Sequence, residues 1–248
     1  MSNSAAPVEW FDPGYWVARN QQVDSASGRG KVSVVRHDDE RWVLRHYQRG
    51  GMIGRVIHDR YLFAGHQRVR AVREFELLRL LVDWGLPTCV PVAARYQRQG
   101  PMYQADLITR FVPHEQTLAQ WLGSDSFTVE SLDATFRQVG EVVGRFQVAG
   151  IHHADLNCHN ILLSGDTVSI IDFDRGTVVP PGAWQQATLK RLRRSVLKVS
   201  NPLRHREIAA AWTSLVDMES SIRAGIDVDE LKRSAPSPAV SRRSAPGR

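Results

Sequence analysis

Hydrophobic and polar positions along the chain fall into alternating runs first and helical ones later. Val32-Ser-Val-Val35 and Trp42-Val-Leu-Arg-His-Tyr47 flank the polar stretch His37-Asp-Asp-Glu40, which predicts a hairpin. Val92 to Arg98 and Tyr103 to Phe111, around Gln99-Gly100, predict a second pair of strands. Between the pairs, Arg70 to Trp84 places Val72, Phe75, Leu77, Leu78, Leu80 and Leu81 at helical spacing, and Gly85 with Pro87 stops it. Pro87-Thr-Cys-Val-Pro91 reads as an extended connector, and Val112-Pro113 breaks the pattern.

Beyond that break the chain turns helical. Leu118 to Leu122 is short. Ser131 to Ala149 is long, with Leu132, Phe136, Val139, Val143 and Phe146 on one face. Gly140 and Gly144 permit close approach, and Gly150 stops the helix. Ile161-Leu-Leu163 and Val168-Ser-Ile-Ile171, joined by Ser164-Gly-Asp166, predict another hairpin. Val178-Val-Pro-Pro-Gly182 reads as a loop. Trp184 to Arg206 carries an apolar seam of Leu189, Leu192, Val196, Val199 and Leu203, and Ile208 to Ile222 is a last helix around Trp212. Trp10, Phe11, Tyr15 and Trp16 make the opening segment a leader packed on a domain, and Ser25-Ala-Ser-Gly-Arg-Gly30 a small-residue loop. Strands followed by helices predict an α+β chain, divided into an N-lobe over 1–111, a C-lobe over 112–231 and a basic Ser/Ala/Pro/Arg tail over 232–248.

At 248 residues there is length for two lobes with a real core. Two cysteines, Cys89 and Cys158, are too few for a disulfide framework or a zinc site and fit a reducing cytosol. The first residues lack the character of a signal peptide, and no stretch approaches the roughly 20 apolar residues of a spanning helix. A net charge of +6 implies an anionic partner. Nucleotide, nucleic acid and anionic membrane all satisfy that. Lys190, Arg191, Arg193, Arg194, Lys198, Arg204 and Arg206 lie in a segment free of acidic residues, which favours an anionic surface or substrate over a merely solvated face.

The chemistry concentrates at Ile151-His-His-Ala-Asp-Leu-Asn-Cys-His-Asn160 and Ile170-Ile-Asp-Phe-Asp174. Asp155 stands five residues before Asn160, and Asp172 twelve after it, with the predicted hairpin between. Such a hairpin can converge three hard oxygen groups, as Mg²⁺ prefers, with phosphates and water completing its shell. The intervals match the kinase catalytic loop H-x-D-x-x-x-x-N followed by a metal-binding aspartate. Upstream, Gly28 and Gly30 allow backbone amides near phosphates. Arg45 ends a strand where kinases place a phosphate-gripping lysine, and Lys31 is its rival for that role. Glu74 is the candidate partner for Arg45, with Glu76 the alternative. An adenine-binding hinge falls near Thr109, Arg110 and Phe111.

With those residues in hand, the chain resembles the protein-kinase-like superfamily in its compact form, which includes lipopolysaccharide, RIO and aminoglycoside kinases. Gly28-Arg-Gly30, Leu44-Arg-His-Tyr-Gln-Arg-Gly-Gly51 and His153-Ala-Asp-Leu-Asn157 narrow the resemblance to the 3-deoxy-D-manno-octulosonic acid (Kdo) kinases of the lipopolysaccharide kinase family, over roughly residues 10 to 225. The resemblance implies a two-lobed fold: a small antiparallel-sheet N-lobe with one long helix, and a mainly helical C-lobe with a catalytic hairpin. It implies an ATP- and Mg²⁺-dependent enzyme that phosphorylates the 4-hydroxyl of Kdo on a lipid A precursor, at the cytoplasmic face of the inner membrane. It implies Asp155 as catalytic base, Asn160 and Asp172 as Mg²⁺ ligands, Arg45 beside Glu74 on the phosphates, and Gly28 and Gly30 over the triphosphate. It also gives segment 189–206 an anionic lipid-linked substrate and a membrane surface to meet, with no nucleic acid. Ala154 replaces an arginine, Asp174 replaces the glycine of DFG, and no long activation segment follows, so regulated protein phosphorylation is disfavoured. Kinases of heptose, aminoglycoside-like or RIO-like substrates are the enzymatic alternatives. A pseudokinase or a basic nucleic-acid-binding module is the non-enzymatic one.

Overall fold

The structure, a computed structural model, describes residues 6–26, 32–48, 59–227 and 229. Gly28, Gly30, Lys31 and the basic tail lie outside the described residues.

The first unit is an antiparallel sheet of β1 (Gln22–Ala26), β2 (Val32–His37), β3 (Glu40–His46), β4 (Tyr61–Leu62), β5 (Pro91–Gln99) and β6 (Met102–Arg110). Its order is β1-β2-β3-β6-β4, with β5 on the other edge of β6. β1 was not foreseen, and takes Ser25 and Ala26 from the predicted loop; Tyr61–Leu62 likewise forms a short strand, ahead of the helix that begins at Arg70. Both gain their order from partners, β2 and β6, rather than from local pattern.

The period of two along each strand sorts the faces. Ser33, Val35, Trp42, Leu44 and Ile108 are buried on the outer face, where Phe11, Trp16 and Ala93 complete an apolar cluster. The aromatic leader is therefore packed there, as α1 (Pro13–Val17) capped by Asp12. The alternate residues Val32, Val34, Val43, Arg45, Leu107 and Thr109 face the opposite way and line a cleft. α2 (Arg70–Asp83) closes that side of the sheet. Its buried face of Ala71, Glu74, Leu77, Leu78 and Leu81 follows helical spacing, which takes Glu74 inward and leaves Glu76 exposed beside Arg79.

The second unit is mainly helical. α3 (Leu118–Ser124) and α4 (Val129–Val148) each start with a capping box, Thr117 with Gln120 and Thr128 with Ser131, which places the long helix two residues earlier than predicted. Each cap contributes about 1 kcal/mol. β7 (Gln116–Thr117), β8 (Ile151–His153), β9 (Ile161–Ser164), β10 (Thr167–Ile170) and β11 (Gly176–Val178) form two small sheets, β10-β9-β7 and β11-β8. β11 takes Val178 from the predicted loop because β8 supplies its ladder, with Val178 opposite Ile151. α5 (Trp184–Val199) and α6 (His205–Gly225) end the described fold. α4 packs closely on α6: a Cβ at Gly140 would lie 2.3 Å from the Leu215 carbonyl oxygen.

The basic segment predicted over 184–206 is helical only as far as Val199 and breaks at Ser200–Asn201, where Pro202 begins a 3₁₀ turn. Leu189, Leu192 and Val196 are buried and Val199 is half-buried, but Leu203 is 89% exposed and does not belong to the seam. Nor are all seven cations unneutralised. Arg191 pairs with Asp155, and Arg204 with Asp125 and Glu207.

Candidate active site

The cleft between the sheet and the C-terminal unit holds about 320 Å³. Val32, Val34 and Val43 line it from the sheet, Leu162 and Ile171 from the hairpin, Thr109 from the end of β6, and Phe111 and Val112 from the segment that follows it. Cys89, also on its wall, has its thiol pushed up to about 11 by burial, which leaves it protonated and unreactive. The polar end carries Arg45, Glu74, Asn160 and Asp172.

Arg45 organises that end. One guanidinium nitrogen binds the Asp172 carboxylate and the other the Glu74 carboxylate, while Tyr47 donates its hydroxyl to Glu74 and accepts from Arg45 at 3.1 Å. Glu74 is 2% exposed. Burial drives its carboxyl above the ordinary range, against the pull of Arg45. Burial works to lower the Arg45 guanidinium, but Glu74, Tyr47 and Asp172 outweigh it and hold it well above its usual value. Removing one partner from such a buried pair strands the other charge.

The stretch from His153 to Asp172 is fastened from within. His153, 5% exposed, donates from Nε2 to the Ile171 carbonyl at 3.0 Å and accepts at Nδ1 from the Asp155 backbone N–H at 3.3 Å. Burial depresses its imidazole below the usual range, so it works as a neutral link between the loop of Asp155 and the strand end of Asp172. Asn157 and Asn160 both donate side-chain N–H groups to the Asp155 carbonyl, at 2.8 and 3.3 Å. Ile171 donates its backbone N–H to the Asn160 carbonyl at 3.0 Å. Asp172 adopts φ +67°, a left-handed conformation that non-glycine residues occupy at a cost. The fully buried Phe173, stacked on Phe146 at 5.5 Å, anchors the next residue.

The structure thus brings Arg45, Glu74, Asn160 and Asp172 to one end of the cleft, with Asp155 on the same loop as Asn160. Two contacts escaped the sequence. Arg191 on α5 reaches Asp155 at 2.7 Å across 36 positions, from a segment read as seven cations over an apolar seam. Arg70, the first residue of α2, clamps the Asp174 carboxylate with two nitrogens and donates to Tyr61 at 2.8 Å. The departure of Asp174 from a glycine pattern was the available signal, but its partner lies 104 positions away.

An antiparallel sheet with one long helix, set over a helical unit whose hairpin carries Asp, Asn and Asp, is a two-lobed α+β fold of the protein-kinase-like kind. A family model for the lipopolysaccharide kinase (Kdo/WaaP) family matches residues 14–216, and the chain belongs to that family. It is 38% identical to a 3-deoxy-D-manno-octulosonic acid kinase of Vibrio parahaemolyticus over 76% of this chain and 78% of that one. It is 41% identical to one from Xanthomonas euvesicatoria, over 78% of this chain and 76% of the relative. A solved structure of WaaP in complex with acyl carrier protein shares the fold, with TM-score 0.52 and 17% identity, covering 93% of this chain and 96% of that one. The protein is accordingly a phosphotransferase of lipopolysaccharide biosynthesis.

Proposed function

We propose that the enzyme transfers the γ-phosphoryl group of ATP to the 4-hydroxyl of a Kdo residue on a lipid A precursor. The observation that carries this reading is the junction of Arg45, Glu74 and Asp172 at one end of a largely apolar cleft. An apolar slot of this volume suits a purine, and the cluster beyond it suits phosphates. The donor set also fits Mg²⁺. Among the described residues no group of three or more His, Cys, Asp or Glu side chains forms a protein cage, and Mg²⁺ takes one or two protein oxygens with phosphates and water. Asp172 and Asn160 would hold it. The bound ion would neutralise charge on the phosphates.

In this reading Arg45 grips phosphate oxygens while Glu74 and Tyr47 hold its fork in place. Asp155 orients the acceptor hydroxyl and takes its proton. The hydroxyl oxygen bonds to the γ-phosphorus as the bond to the bridging oxygen breaks, and ADP leaves. Gly28 and Gly30 cover the triphosphate, and the lobes meet near 111/112. Arg45→Ala and Lys31→Ala separate the two candidates for the phosphate cation: an Arg45→Ala enzyme with unchanged ATP affinity and turnover would remove Arg45 from the role.

The partner surface we assign to segment 189–206 is an anionic leaflet, the cytoplasmic face of the inner membrane. Among the described residues, Lys190, Arg193, Arg194, Lys198 and Arg206 make no ion pair. Leu203 beside them supplies exposed apolar area that a bilayer would bury. No described helix is long and apolar enough to cross a membrane.

The test is transfer of labelled γ-phosphate from ATP with Mg²⁺ to a Kdo-lipid A precursor, with Asp155→Asn as control. Transfer by wild type alone supports substrate, reaction and base together. ATP hydrolysis or binding without transfer would overturn the acceptor and turn attention to heptose.

A further inference from the structure

Asp155 is held by a cation that docking of its helix does not need. α5 is already fastened to the catalytic loop. Ser195 accepts from the Cys158 backbone N–H at 3.0 Å and meets its Sγ at 2.8 Å, while Leu189, Leu192 and Val196 are buried beneath. Arg191, one helical turn before Ser195, adds a contact to the Asp155 carboxylate in which the two side chains are 45% and 51% exposed. Pairs this open contribute little to stability and exchange readily. The contact also occupies Asp155 Oδ1 at 2.7 Å, on the carboxylate an acceptor hydroxyl must approach. A base that spends the reaction bound to a guanidinium would lose an acceptor oxygen, so the arrangement suits the enzyme before its acceptor arrives. Once a hydroxyl engages Asp155, the fork of Arg191 is released within a few ångströms of that hydroxyl's own molecule. Lys190, Arg193 and Arg194 surround it on the sequence, so no neighbouring carboxylate on α5 competes for it. A planar guanidinium in such a place selects a carboxylate by two parallel hydrogen bonds.

We propose that Arg191 is the acceptor-specificity residue: it moves from Asp155 to the carboxylate of a sugar acid when that acceptor binds. The inference rests on the proposed function, in which Asp155 is the base and the acceptor is a sugar acid, and it adds the residue that reads the acceptor's carboxylate.

The experiment compares two acceptors in neutral detergent micelles, the Kdo-lipid A precursor and the same molecule with its carboxylate reduced to an alcohol. Acceptor KM and kcat are measured for wild type, Arg191→Gln, Arg191→Lys and Lys198→Gln. For wild type, loss of the carboxylate should raise acceptor KM on the order of tenfold to a hundredfold, as expected for charge-assisted hydrogen bonds. Arg191→Gln should start with the raised KM and lose most of that dependence, with ATP KM and melting temperature unchanged. Arg191→Lys should recover part of the discrimination, and Lys198→Gln should retain all of it. Discrimination by Arg191→Gln equal to wild type would overturn the inference while leaving Asp155 as base. Equal loss in Lys198→Gln would assign the effect to the field of the whole helix and overturn it too. If wild type transfers phosphate to neither acceptor, the proposed function fails first and this inference with it.

Discussion

Two arginine–carboxylate contacts stand at the same active site and differ chiefly in water. Arg45 and Glu74 are 23% and 2% exposed, locked with Tyr47 and Asp172 under the sheet. Arg191 and Asp155 are 45% and 51% exposed at the edge of the catalytic loop. The first contact is costly to break, because a lone charge would be left buried. The second opens cheaply, because water replaces either partner. The buried pair is therefore part of the frame, and the exposed pair is the one that, in the proposed function, is exchanged for substrate. Chemistry of the side chains alone does not separate these roles; burial does.

The comparison can be broken at several points. Asp155→Asn should lower turnover by about a thousandfold, within the range for loss of a general base, while ATP affinity stays near wild type. Equal loss of both would point to a folding defect. Glu74→Gln should lower unfolding free energy by about 3 kcal/mol in urea titration, since Arg45 keeps Asp172 but loses its buried partner. Arg70→Ala frees Asp174 and loosens α2 at its first turn, so half-saturation by Mg²⁺ should rise several-fold, about 1 kcal/mol.

Acid should act on the two lobes in opposite senses. His153 is held below the usual imidazole range by burial, so the stability it contributes is present above a pH of about 6.5 and falls away as the pH drops below that. His46 is held above it by its hydrogen bond to Asp106, so its contribution is complete below about 6.5 and is lost as pH rises through its raised value. Urea midpoints between pH 5 and 8 should show the acid limb flattened by His153→Gln and the alkaline limb by His46→Gln. Arg191→Gln should give the smallest change, no more than about 1 kcal/mol of stability. A loss near that of Glu74→Gln would erase the distinction between frame and exchangeable part.

Much of this was written in local pattern. The alternation in β3 carries Trp42 and Leu44 to the leader and Arg45 to the cleft, and the spacing in α2 chooses Glu74 over Glu76. Periodicity of two and of 3.6 reports which face a side chain occupies, and the spacing from His153 to Asp172 reports the hairpin between them. Strand β1 and the division of the basic segment at Pro202 were less legible, since the first depends on β2 and the second on a helix boundary inside continuous charge.

The sequence by itself determined most of the elements, the family and the His153-to-Asp172 motif, because each of these rests on residues close together in the chain. Tertiary structure alone decided that Arg70 meets Asp174, that Arg191 meets Asp155, and that Leu203 leaves the seam for solvent. The first two outcomes join positions tens of residues apart, where no periodicity reaches, and the third follows from the helix ending at Val199.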